Sequence, residues 1–142
     1  MTYFMDTSYV LALYDKRDKY HKKANELKKS FNQSDKFVLS DAVILEIGNG
    51  LSEPKFRNDV TSFINEIRLS INFKIFSISK RILQGGLNIF SSYQDKYWGL
   101  VDCISFFIMK EQNISNALTT DSHFKQAGSH FKQAGFIAQL LL

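Results

Sequence analysis

WGLVDCISFFIMKEQNISNALTTDSHF, residues 98–124, parses as helix, turn, strand, turn, helix, and its reading decides the fold. Leu100, Val101, Ile104, Phe107 and Ile108 recur at helical spacing, which puts Asp102 in the first turn of an amphipathic helix whose other face is buried. Ser115 to Thr120 reads as a short strand. Asp121 follows at its carboxyl end, where open α/β sheets present ligand-handling residues. Two acids are thus offered to one rim. Each alone has an ordinary explanation: Asp102 complements the positive end of its helix dipole, and Asp121 caps a helix beginning at Ser122. A functional reading requires further acids arriving there from distant sequence.

The start of the chain supplies the first. Thr2 to Met5 reads as a buried strand and Asp6-Thr7-Ser8 as the helix start behind it, so Asp6 has the same address as Asp121. Tyr9 to Tyr14 gives a short helix. Tyr20, Ala24, Leu27 and Phe31 form the apolar stripe of a second, with lysines on its outer face. Lys36 to Ser40 is a compact apolar strand, after which Asp41 begins a helix with Val43, Ile44, Ile47 and Leu51 facing inward. Glu46 falls inside that apolar pattern. A buried carboxylate is costly unless it is paired, hydrogen-bonded or bound to a metal; the plainer alternative is a place at the edge of the stripe.

The Gly48-Asn49-Gly50 triplet ends or bends this helix, and Pro54 opens the next, with Phe56, Val60, Phe63, Ile64 and Ile67 toward the core. Asn72 to Ile78 reads as a third strand, Ser79 as the cap of a helix from Lys80 to Tyr93 that tolerates Gly85-Gly86, and Phe136 to Leu142 as a last strand. Alternation of strands and helices implies right-handed βαβ units, hence an α/β fold with a mainly parallel five-stranded sheet and helices on both faces. Asp6, Glu46, Asp102 and Asp121 then all reach the carboxyl-end rim. Four acids there repel one another unless a hard cation such as Mg²⁺ or Mn²⁺ neutralises them.

Composition limits the alternatives. The 142 residues suit one domain, 1–142, without a Pro-, Gly- or Ser-rich linker. The single cysteine, Cys103, excludes an intramolecular disulfide and reads as core, and no apolar run approaches the roughly 20 residues of a membrane span. An acid at Asp6 and the lack of an early basic region argue against a signal peptide, so the expectation is a cytoplasmic protein with no membrane contact. The formal charge of +4 is concentrated: residues 16–29 hold seven Lys or Arg against two acids, a net +5, which leaves −1 for the rest. Lys22, Lys23, Lys28 and Lys29 suit a polyanionic partner such as RNA; a solvated helix face explains them equally well.

DTSYVLALYD, DAVILEIGNGLS and WGLVDCISFFIMKEQNISNALTTDSHF together resemble the signature segments of PIN-domain proteins over nearly the whole chain, the last segment being closest to the VapC-like toxin ribonucleases. This resemblance implies a three-layer α/β/α sandwich, an acidic metal site and Mg²⁺- or Mn²⁺-dependent endoribonuclease activity. It places the family's four acids on Asp6, Glu46, Asp102 and Asp121. It also implies a small antitoxin partner with a helical segment over the site, and a homodimer. Thr7 and Thr119 match hydroxyl positions of the family, although capping and strand propensity account for them without catalysis. Trp98 fits packing better than base stacking. The rival readings are a non-catalytic nucleic-acid-binding or regulatory PIN module, against which the intact acids argue, and a phosphatase- or receiver-like domain, which would need a lysine paired with Asp6.

One feature departs from the family pattern: SHFKQAG at 122–128 recurs without change at 129–135. Either a natural duplication lengthens the rim helix or the repeat is an artefact; its perfection marks a recent event. Duplication accounts for the spacing of His123 and His130, so neither is read as a metal ligand. A seven-residue insert adds about two helical turns, yet Gly128 is a natural stop, so one long helix and a helix ending at Gly128 are both open.

Overall fold

The structure, a computed structural model, describes residues 1–130 and 137–141. Strands β1 (Thr2–Met5), β2 (Lys36–Ser40), β3 (Phe73–Phe76), β4 (Asn116–Leu118) and β5 (Ile137–Ala138) form one five-stranded sheet in the order β3-β2-β1-β4-β5, with each neighbouring pair parallel. Helices α1 (Thr7–Tyr14) and α2 (His21–Ser30) join β1 to β2, and α3 (Asp41–Gly50) and α4 (Pro54–Leu69) join β2 to β3. Helices α5 (Lys80–Ser92) and α6 (Leu100–Glu111) then carry the chain back past β1 to β4, and α7 (Ser122–His130) comes next.

The chain therefore walks from β1 to one edge and then from β4 to the other. Right-handed crossovers put α1 to α4 on one face and α5 to α7 on the opposite face. Helix packing agrees: α1 lies on α2 and α3, and α3 on α4, whereas α6 lies on α5 and α7. The result is a three-layer α/β/α sandwich. Its topological switch point, where connections leave in opposite directions, lies between β1 and β4.

Phe4, Met5, Val38, Leu39, Ala117 and Leu118 are buried in the central strands, as expected for a parallel sheet covered on both faces. Ser40 and Ser79 cap α3 and α5 by accepting from Val43 N–H and Ile82 N–H. The Gly85-Gly86 pair has a packing reason that the sequence did not show. A Cβ on Gly86 would lie 2.5 Å from Ile104 Cγ1, and one on Gly85 would overlap the Phe107 ring, so the glycines let α5 close onto α6.

Two expectations need correction. Among the described residues the last strand is Ile137–Ala138, which turns into a 3-10 helix at Gln139–Leu141; β4, its neighbour in the sheet, is just three residues long, and Leu140 turns in to be fully buried. Phe136 and Leu142 lie outside the described residues. Second, α6 is buried over more than one stripe. Cys103, Phe106 and Met109 are enclosed along with Ile104 and Ile108, and Phe106 packs edge-on against both Trp98 and Phe124. Trp98 is thus a core residue, with its indole N–H donating to Gln126 Oε1.

Candidate metal centre

The pairing of β1 with β4 explains where the acids meet. Asp6 N–H donates to Leu118 O at 3.1 Å, so the residues leaving both strands enter one crevice. Asp6, only 5% exposed, is the N-cap of α1, and its Oδ2 accepts from Ser8 N–H (3.4 Å), Ser8 Oγ (2.7 Å) and Thr119 Oγ1 (2.8 Å). The two hydroxyls lie 3.0 Å apart and themselves accept from the rim backbone: Ser8 Oγ from Thr120 N–H, Thr119 Oγ1 from Asp121 N–H. Sequence reasoning missed Ser8 and gave Thr119 to strand propensity. Here both hold one oxygen of Asp6 in place.

Asp102 enters from α6. Its Oδ2 accepts from Gly99 N–H at 3.3 Å, so the helix-start role expected for it is real. Asp121 in turn caps α7, its Oδ1 accepting from His123 N–H at 2.8 Å. Capping does not exhaust these carboxylates, because they also act on one another. Burial, then the charges of Asp121 and Asp6, push the Asp102 carboxyl up to about 6, against the lowering effects of Gly99 N–H and His123. Asp6 is likewise raised, chiefly by burial, with the Ser8 and Thr119 hydroxyls opposing and Asp121 adding to the rise.

His123 completes the cluster, contrary to the expectation that it is a by-product of duplication. Its Nδ1 lies 3.5 Å from Asp102 Oδ2 and 3.2 Å from Asp121 Oδ1. It is a buried nitrogen within ion-pair distance of both carboxylates and aligned for a hydrogen bond with neither. One ligand atom from each of Asp102, Asp121 and His123 lies within 4.8 Å of the others. The available signal was local: a residue two places after a helix cap sits in the first turn, where its side chain points back over the cap.

Glu46 is held differently. It is half-buried on α3 rather than enclosed, and its Oε1 accepts a 2.7 Å hydrogen bond from Thr7 Oγ1. Thr7, the residue after Asp6, thereby ties it to the start of α1, while Glu46 stays outside the Asp102–Asp121–His123 group. Lys22, Lys23, Lys28 and Lys29 are all exposed on α2. Arg17 in the same basic stretch is committed to Asp15 and Glu53.

The donors suit a divalent metal ion. They combine carboxylate oxygens with a ring nitrogen left without a partner, and the mutual repulsion of the acids is what a cation would relieve.

Fold and site together define an α/β/α protein with an acidic centre at its switch point. The PIN domain model matches residues 3–129, and the chain belongs to the PIN domain family. Its fold is similar to that of Mycobacterium tuberculosis VapC20, described as a sarcin-ricin loop cleaving toxin: TM-score 0.78 and 23% sequence identity, over 90% of this chain and 95% of that one. No curated protein matches the sequence. Among the described residues no helix is long and apolar enough to cross a membrane.

Proposed function

We propose that the protein is a divalent-metal-dependent endoribonuclease and the toxin of a toxin-antitoxin pair. The observation that carries this reading is the convergence of Asp6, Asp102 and Asp121 at the switch point of a PIN-family chain, with the Asp102 carboxyl pushed up by burial and then by its acidic neighbours. The likeness to VapC20, a toxin that cleaves the sarcin-ricin loop, supports an RNA substrate.

Asp102, Asp121 and Asp6 would hold Mg²⁺ or Mn²⁺, with Glu46 as the fourth acid of the site. When bound, the ion supplies a Lewis acid that polarises the scissile phosphate and makes water a better nucleophile. The chain's own part is preorganisation. Ser8 and Thr119 fix Asp6, Gly99 N–H fixes Asp102, the first turn of α7 fixes Asp121, and Thr7 orients Glu46. The exposed lysines of α2 add attraction for the phosphate backbone.

Leu83, Leu87 and Phe90, exposed at helical spacing on α5, give a second copy an apolar surface to share. A small antitoxin would suppress cleavage by covering the acids.

Cleavage of RNA by the purified protein should require Mg²⁺ or Mn²⁺ and stop in excess EDTA. Asp102→Asn should keep the fold and lower the rate by roughly 100-fold or more, because the amide cannot balance the ion's charge. Equal cleavage in EDTA would sink the proposal; no cleavage with either metal would favour the non-catalytic PIN module.

A further inference from the structure

A centre of carboxylates alone would take Mg²⁺ and Mn²⁺ on similar terms. This one also contains a ring nitrogen. We infer that His123 Nδ1 is a direct ligand of the metal and makes the centre a mixed nitrogen–oxygen site that selects Mn²⁺ over Mg²⁺, a conclusion that rests on the metal-centre reading above.

Three observations lead there. The first is spacing. Six-coordinate ions of this size hold their ligands at about 2.1 Å, so adjacent ligand atoms stand about 3.0 Å apart. His123 Nδ1 stands 3.2 Å from Asp121 Oδ1 and 3.5 Å from Asp102 Oδ2, close to two edges of such a polyhedron. The second is the state of the nitrogen. It is buried and has no hydrogen-bond partner, although two carboxylates lie within reach. A buried polar atom without a partner is costly, and a ligand bond would satisfy its lone pair.

The third is rigidity. His123 N–H donates to Asp121 Oδ1, while Phe124, the next residue, is fully buried against Phe4 and Phe106. The imidazole is therefore carried on an anchored helical turn. The side chain as a whole is partly open, 34% exposed. Imidazole is a poor ligand for Mg²⁺ and a better one for first-row transition ions, which gives the selectivity its direction.

The ordinary alternative is that a protonated His123 stands in for a cation as an ion-pair partner of the two aspartates. The two roles differ in what the metal should show. Full-length protein loaded with Mn²⁺ should give a directly coupled nitrogen signal in pulsed electron paramagnetic resonance. His123→Gln should lose that signal and bind Mn²⁺ about tenfold more weakly with little change in Mg²⁺ affinity. His130→Gln should leave both unchanged, and ¹⁵N-histidine in the unsubstituted protein should shift the coupling, which removes any dependence on how the variants fold.

Mn²⁺ bound without nitrogen coupling, or bound more tightly by His123→Gln, would overturn the ligand role and leave the carboxylate centre standing. Loss of the signal in His130→Gln instead would move the ligand into the second copy of the repeat and overturn the assignment to His123. Failure of Mn²⁺ to bind the unsubstituted protein at all would overturn the metal centre itself.

Discussion

Thr7 Oγ1 donates a 2.7 Å hydrogen bond to Glu46 Oε1, joining the first residue of α1 to the middle of α3. A threonine that sequence reasoning assigned to capping thus positions the one acid contributed by the β2–α3 unit. Thr7→Val keeps the shape and removes the donor. A single part-buried hydrogen bond contributes about 1 kcal/mol, so the variant should fold. Its single-turnover RNA cleavage at saturating Mn²⁺ should fall about tenfold, as for other supporting partners of metal sites, and Thr7→Ser should restore it. Full activity in Thr7→Val would mean that Glu46 needs no orientation.

Asp102 carries a dependence on pH whose sign is fixed by its raised carboxyl. It titrates at about 6 in the fold against an ordinary 3.8. Between these values the folded chain retains a proton that the unfolded chain has lost, so the stability of the metal-free protein falls as pH rises through about 4 to 6 and stays low above it. In EDTA the unfolding free energy should be smaller at pH 7.5 than at pH 5, by about 1.5 kcal/mol. Asp102→Asn should remove Asp102's part of that difference, leave the part owed to the likewise raised Asp6, and stabilise the metal-free protein at pH 7.5. Asp15 and Glu53, held low by Arg17, and Asp35, held low chiefly by the Asn32 N–H, lose their contributions only below this range. Stability that rises from pH 5 to 7.5 in EDTA would show that the raised carboxyls of Asp102 and Asp6 do not govern this range.

How far the sequence could be read depended on whether a signal was local. Thr2–Met5 and Lys36–Ser40 are legible to the residue because central parallel strands are continuous apolar runs, and Ser40 and Ser79 announce helix starts that they do cap. Asp6, Asp102 and Asp121 could be placed on one rim from their positions alone. The Ser8–Asp6–Thr119 network could not, since it joins residues more than 110 positions apart across the β1–β4 pairing, which nothing in either segment encodes. His123 was hidden by the repeat, whose symmetry made two histidines look equivalent. The brevity of β5 comes from β4, its short neighbour, and not from its own apolar composition.

Lys22, Lys23, Lys28 and Lys29 are exposed on α2, and the prediction for them is electrostatic. Replacing all four by Gln should weaken RNA binding and flatten the slope of log affinity against log salt by as much as about 3, since each contact to a single strand contributes about 0.7. Mn²⁺ affinity should not move, because a surface charge at longer range is screened. An unchanged salt slope would return α2 to the status of a solvated face.

The repeat gives the last test. Helix α7 does not stop at Gly128 but runs through it to His130; the rest of the second copy, 131–135, lies outside the described residues. Glycine opposes this by about 1 kcal/mol, which tertiary packing offsets: Phe124 and Ala127, three residues apart, are both fully buried and hold one face of the helix against the core. Every residue assigned to the metal lies in or before the first copy, Asp121 and His123 being the last of them, and so does the Gln126 side chain that accepts from Trp98. In a continuous helix seven residues amount to about two turns and a rotation of only about 20°, so a chain lacking residues 129–135 should still bring Ile137–Ala138 to β4. The shortened chain should fold, keep the buried environment of Trp98 in its fluorescence, and bind Mn²⁺ with unchanged affinity. If it stays folded and loses Mn²⁺, the second copy must supply part of the centre, and the assignment of Asp121 to that centre is wrong.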